Sequence, residues 1–354
     1  MAFSGTVGQT TIKVIDLVDH SILRCGIEPA RITAQMVETA KKNLFYYLSY
    51  LSNRGINLWT IERSLIGLYP YQNIYALPVG TIDVLNVNYR TVMRWEGAGV
   101  SSAGGTGDNA FDGDVTTSCT QVSTNGNISA DFASADVITD VAIRTNGNRT
   151  YNLVWEYSTD NITWSTVLAT GSVSYLDNKW VWYQITTPQS GRYFRVRETA
   201  GGTLNVRELV FGKRPTEIPM NRINRDDFSS LPDKTILSAY PSQFWYNRIL
   251  TQPELWVWPT PSDTFVSLMV WRHRHVQDIG DLTNDLEVPQ RWYECMLANL
   301  AARNALDIPD VSEMRIEMLG KLAEGAEEPP HEEERDRAMS FWTPNIGGYT
   351  GAHG

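Results

Sequence analysis

The chain has 354 residues, 42% of them hydrophobic and 20% charged, an ordinary globular composition with enough apolar material for more than one core. A formal net charge of -10 and a pI of about 5.1 exclude a protein that grips nucleic acid through a basic stripe, and the wealth of Trp and Tyr favours β-rich surfaces over a plain helical bundle. Cys25, Cys119 and Cys295 are odd in number and far apart, which predicts free thiols; with no basic-then-apolar leader and no bilayer-length apolar run, a soluble protein made in a cytoplasm, with no membrane partner, is expected.

In chain order, Ile15, Val18 and Ile22 share one face of a first helix closed by Cys25-Gly26. Val37, Ala40, Leu44, Leu48 and Leu51 make a longer stripe on a second helix closed by Gly55, with Tyr46, Tyr47 and Tyr50 adding aromatic surface. Residues 58–68 read as extended, and Leu85, Val87 and Tyr89 alternate with Asn86, Asn88 and Arg90 as a half-buried strand.

At Glu96 the composition turns Gly/Ser-rich, and from Asn109 to Gly212 short β-like runs alternate with Asn, Gly and Asp: 128–132, 137–144, 151–158, 164–168, 180–185, 193–197 and 206–211. Regular short strands with turn signals predict a sandwich of roughly 100 residues. The Gly/Ser-rich start and the Lys213-Arg214-Pro215 exit predict a separable insertion whose ends lie close, so that replacing Glu96–Gly212 by a short turn should cost the host little.

Beyond it, 224–228 reads as a short helix, and Leu255–Trp258 with Thr264–His275 reads as a hairpin across the turn residues Pro259, Pro261, Ser262 and Asp263. Pro289 opens an Ala-rich helix carrying Trp292, Met296, Leu300 and Arg303. A last long helix is expected from Pro309-Asp310, with capping-box spacing at Asp310 and Glu313, an apolar stripe of Val311, Met314, Met318 and Leu322, and breaks at Gly325 and Pro329-Pro330. A short charged helix and a tail of low apolar content close the chain.

Within the insertion, Asn109–Thr117, Tyr157–Trp164, Tyr193–Val196 and Val206–Gly212 resemble the discoidin, or galactose-binding-like, sandwich family. That resemblance implies a structural calcium held by the oxygens of Asp112, Asp114, Thr117 and Glu208; on the residues alone, the same loop is equally a tight Asp-Gly turn with no ion. It also implies a glycan partner, although Trp155, Trp164, Trp180, Trp182 and Tyr183 serve equally as sandwich core, and no sugar-binding residues are singled out.

The flanking chain resembles the head-to-tail adaptors of short-tailed phages, the tail tubular protein A or gatekeeper-type connectors. The match rests on the order of the second helix, Asn57-Leu58-Trp59, Tyr75-Ala76-Leu77-Pro78, residues 241–248 and 254–263, and Glu287–Trp292. It implies a virion protein of the tail or neck, a ring of twelve copies beneath the portal protein that continues the channel for viral DNA, without sequence-specific binding, toward tail nozzle or tail fibre proteins. The C-terminal segment would then meet the portal through Arg335, Met339, Phe341 and Trp342.

No nucleophile elbow, zinc-helix motif or phosphate loop is present in the sequence, so no enzyme is expected. His273 and His275 lack a third metal ligand and read as surface residues; Glu332–Arg335 reads as a solvated helix face. The expected fold is α+β, a helical bundle layer plus a small antiparallel β-domain with an inserted all-β jelly-roll sandwich, over segments 1–95, 96–213, 214–325 and 326–354. Two functions stand, a ring-forming connector and a carbohydrate-binding tail or decoration protein.

Overall fold

The computed structural model describes residues 11–54, 60–121, 124, 126–277 and 279–333, and the chain divides into two compact units, residues 1–61 with 275–354 and residues 62–274. Its helices are α1 (Val14–Arg24), α2 (Ala34–Arg54), α3 (Arg225–Ser230), α4 (Tyr293–Asp307) and α5 (Glu313–Glu333). None of the described helices is long and apolar enough to cross a membrane.

The first unit is a helical layer. Val14, Leu17, Val18 and Ile22 recur at helical spacing and bury one face of α1, while Ile15 lies only half-buried beside them. Ala40, Leu44, Tyr47, Leu48 and Leu51 do the same for α2, and both meet Trp292, Met296, Leu300 and Ala301 in one core. Pro289 precedes a 3-10 turn at Gln290–Trp292, and α4 itself begins at Tyr293. A buried polar chain fixes the helices relative to one another: Asn304 Nδ2 donates to Ser21 Oγ at 2.8 Å and accepts from Asn43 Nδ2 at 3.0 Å. Such contacts specify register because any other register strands a buried amide.

Two expectations for α5 do not hold. Asp310 adopts a left-handed backbone, so the helix starts later, the Ser312 carbonyl accepting from the Arg315 and Ile316 amides. The helix also runs through Gly325 and Pro329-Pro330 to Glu333. Each proline removes its own donor, leaving later residues free to continue the ladder. The buried face is Leu319 and Ala323; Met314, Met318 and Leu322, the expected core stripe, are 81%, 59% and 45% exposed.

The second unit is built on one long sheet, whose strands run Ile61–Gly67, Ser267–Arg274, Thr81–Arg94, Asn205–Pro219, Asp140–Thr145 and Trp180–Gln184 in spatial order. At one end it packs on a five-stranded sheet whose main strands are Asn127–Val137, Ser190–Glu198, Arg149–Ser158 and Ser165–Tyr175, closing a core of Trp155, Phe194, Phe211, Val141 and Ile143. At the other end a small sheet containing Gln243–Asn247, Glu254–Trp258 and Ile74–Ala76 covers it, and Phe244, Tyr246, Leu255 and Val257 meet Val84, Val87, Leu268 and Val270.

The expected hairpin is therefore redrawn. Glu254–Trp258 pairs with Gln243–Asn247, whereas Ser267–Arg274 pairs with Thr81–Arg94 in the opposite layer. Two runs apolar on one face do better stacked across a core than side by side. In Thr81–Arg94 a register shift opposite Trp271/Arg272 turns Val84 inward and leaves Leu85 exposed, and Arg90 is buried.

The ends of the 96–212 segment do lie together, with Arg94 opposite Gly212 and Thr91 opposite Thr216. The segment is nevertheless continuous with its surroundings. Ala142, Trp180, Trp182 and Val210, on the sheet face away from the sandwich core, are covered by Leu65, Tyr69, Val92 and Phe265. Trp180 donates through Nε1 to Thr264 Oγ1 at 3.0 Å and through its amide to the Tyr69 hydroxyl at 2.5 Å. Arg90 reaches across the Asn205–Pro219 strand and grips buried Asp140 at 2.8 and 2.9 Å, with Glu217 as a second partner.

Replacing Glu96–Gly212 by a turn would thus take Asp140 from Arg90, leaving it Glu217 alone, and expose the apolar surface over Val92 and Phe265, and the remaining strands should be insoluble. The milder Asp140→Asn should lower the unfolding free energy by roughly 3–5 kcal/mol, because it leaves a buried charge short of its partner. Urea denaturation measures it; a loss of only a few tenths would show the pair to be dispensable.

Candidate functional site

The acidic loop begins with a 3-10 turn at Gly107–Ala110 and turns at Gly113, whose φ of +79 suits glycine. Asp112 Oδ1 accepts from the Asp114 amide at 2.8 Å, and Oδ2 accepts from Thr117 Oγ1 at 2.9 Å. The same Thr117 Oγ1 lies 2.9 Å from the Asp114 carbonyl oxygen, which competes with Asp112 for its single proton. Asp114 spends its carboxylate differently, accepting through Oδ1 from both the amide and the hydroxyl of Thr116, which holds its carboxyl below the usual range.

Glu208 rises from the Asn205–Pro219 strand, fully buried, and neither of its carboxylate oxygens makes a well-formed hydrogen bond. Burial and the adjacent Asp112 carboxyl push it up to about 8, against the opposing pull of Arg94 and the Gly113 amide. Arg94 is close by, since a Cβ at Gly113 would lie 3.1 Å from its Nη2. Of the four expected ligands, the fold thus joins Asp112 to Thr117 and to Glu208, and turns the Asp114 side chain to Thr116. A buried carboxyl without a well-formed hydrogen bond, beside a second one, is a hard-oxygen donor set that a divalent cation fits. Among the described residues no three His, Cys, Asp or Glu side chains converge, so hydroxyl and carbonyl oxygens would complete the shell.

The histidines divide. His273 is buried and His275 exposed, which corrects the surface reading of the first. Arg335, Met339, Phe341 and Trp342 lie outside the described residues.

The five aromatics left open between core and ligand face also divide. Trp155, Trp180 and Trp182 are buried, while Trp164 and Tyr183 are half-buried, the Tyr183 hydroxyl being engaged with Tyr175 at 2.8 Å. Trp164 lies on the outer face of the five-stranded sheet, with the Arg195 guanidinium 4.0 Å over its ring. Arg195 and Arg197 flank Glu156 at 2.6 and 2.9 Å and hold its carboxyl below the usual range despite burial. The strand register brings these side chains together, Arg195 standing opposite Glu156 and Glu156 opposite Thr166. Sequence reading named Trp164 among five aromatics equally suited to core or ligand and missed its partners, whose only signal is the alternation of Tyr193, Arg195 and Arg197 along one strand face.

Residues 96–209 match the F5/8 type C domain family, and this segment is a discoidin-type β-sandwich. No curated protein matches the chain. Similar solved structures include the family 32 carbohydrate-binding module of AlyQ in complex with 4,5-unsaturated mannuronic acid, 20% identical, covering 34% of this chain and 99% of that one, with a TM-score of 0.31. Another is the family 32 module of NanJ from C. perfringens in complex with galactose, 14% identical over 36% of this chain and 99% of that one, with a TM-score of 0.29. A third, CpGH89CBM32-6 of Clostridium perfringens, is 16% identical over 35% and 94%, with a TM-score of 0.28.

Glu208 makes stability depend on pH in an unusual direction. Its folded proton affinity is raised above the unfolded value of 4.5, so folding takes up a proton between the two. In the presence of a chelator its contribution should be complete below pH 4.5 and should fade as pH rises through about 8. Thermal melts of the wild type and Glu208→Gln, compared from pH 5 to 8.5, measure it; a difference between them that does not vary with pH would count against the buried, protonated carboxyl.

Proposed function

We propose that the chain is a carbohydrate-binding protein whose sandwich, residues 96–209, is the ligand module and whose sugar-contacting face centres on Trp164. The observation that carries this reading is the F5/8 type C match over the segment that holds Trp164, an aromatic side chain left half-open and braced by Arg195. The Trp164 face not covered by Arg195 offers stacking to a pyranose, and Arg195 and Arg197, anchored on buried Glu156, offer donors to its hydroxyls. Trp164→Ala should abolish binding on a glycan array at unchanged melting temperature, and equal binding by the variant would remove the face from this role.

Calcium is part of this proposal. Asp112 and Glu208 would hold it, with the Thr117 hydroxyl and the Asp114 carbonyl as neutral oxygens, and bound there it would add to the positive charge that Arg94 already brings to the two adjoining carboxyl groups. Calcium should raise the melting temperature of the wild type and leave Glu208→Gln unmoved.

A second reading, a ring-forming connector, has its own support in the helical unit. Met314, Met318 and Leu322 line one exposed stripe of α5, and Phe45, Tyr46 and Tyr50 stand exposed on α2. Apolar stripes of this kind suit contacts with further copies or with a virion partner such as a portal protein. This reading locates the chain in a phage tail or neck. Met318→Ser with Leu322→Ser should reduce the mass seen by light scattering to that of a monomer; an unchanged mass would exclude the stripe as an interface between copies.

A further inference from the structure

A cleft of about 570 Å³ opens between the end of the Thr81–Arg94 strand, Ala239-Tyr240 and the Asp263–Val266 turn. Apart from Glu96, its lining lies outside the sandwich segment, and it is separate from the Trp164 face.

Its walls are held rigidly. The Tyr240 ring is 59% exposed and stands edge-on against buried Tyr89, centroids 5.4 Å apart at 79°. The Arg94 guanidinium lies 3.9 Å over the Phe265 ring and donates through Nε to Glu96 Oε1 at 2.8 Å. That leaves Nη1 and Nη2 without a hydrogen-bond partner among the described residues. Asp263 accepts through Oδ1 from the Thr264 and Phe265 amides at 2.6 and 3.0 Å, and Oδ2 is likewise unbonded among them.

We infer that this cleft is a second ligand site and that it binds a neutral saccharide. The signs of its charges select the class: an anion would meet Asp263 and Glu96, and a cation would meet Arg94. An apolar ligand would bury the unbonded guanidinium and carboxylate at a large desolvation cost. A hydroxyl donates and accepts at once, so neighbouring hydroxyls of one pyranose satisfy Arg94 and a carboxylate together, while the C–H face of the sugar lies on Tyr240. The volume falls within the range of small-molecule sites.

The experiment uses the full chain with neutral oligosaccharides of galactose, mannose and N-acetylglucosamine, read by saturation-transfer NMR and calorimetry. A neutral sugar should bind; Tyr240→Ala should weaken it by about tenfold, Tyr240→Phe should retain it, and Trp164→Ala should leave this component intact. Binding confined to charged saccharides, equal binding by Tyr240→Ala, or loss in Tyr240→Phe would overturn the inference. Binding that disappears with Trp164→Ala alone would overturn it while sustaining the sandwich face as the sugar site, and an absence of all sugar binding would overturn both.

Discussion

The contact on which the second unit depends is the buried pair of Arg90 and Asp140. The two residues belong to strands that never touch, because Asn205–Pro219 runs between them with Glu217 opposite Arg90 and Gly212 opposite Asp140. A guanidinium spanning that strand fixes the registers of all three at once. Burying the pair adds little net stability, since both groups give up water, but any slip leaves a charge in a dry interior. Gly212 completes the device: a Cβ there would approach Val92 to 2.8 Å, so only glycine lets the strands come this close.

That constraint explains why the sandwich is not a module clipped into a loop. Its sheet face over Trp180 and Trp182, which an isolated sandwich would show to water, is covered by Leu65, Tyr69, Val92 and Phe265. The separable insertion expected from the Gly/Ser-rich start rested on composition at the junction, which reports how the chain enters and leaves. It carries no information about which faces meet afterwards, and a face rich in tryptophan reads the same whether it awaits a ligand or a neighbouring strand.

The elements themselves were largely legible because each has a period. Short β-runs with Asn, Gly and Asp between them became the strands of the sandwich, and the α2 stripe became buried surface. The acidic loop was legible for the same local reason, an Asp-Gly turn with hydroxyls at fixed offsets. Arg94 and the partners of Trp164 were not, because they join the site through strand pairing across tens of residues, and no spacing in the sequence encodes that. The hairpin failed for a related reason: periodicity assigns a face to each strand but not its neighbour, and Leu255 and Leu268 belong to opposing layers of one core.

The α5 stripe shows where patterning misleads even when the element is right. Met314, Met318 and Leu322 follow an i, i+4, i+8 row as regularly as any core stripe, yet the row that faces α4 is the one through Leu319 and Ala323. A helix with two apolar rows can bury either. Close packing against α4 favours the smaller side chains, because Ala323 beside Asn299 lets the helix backbones approach in a way that Met318 would prevent. The larger row is then left outside, where its flexible methionines present an adaptable apolar surface beside the buried row.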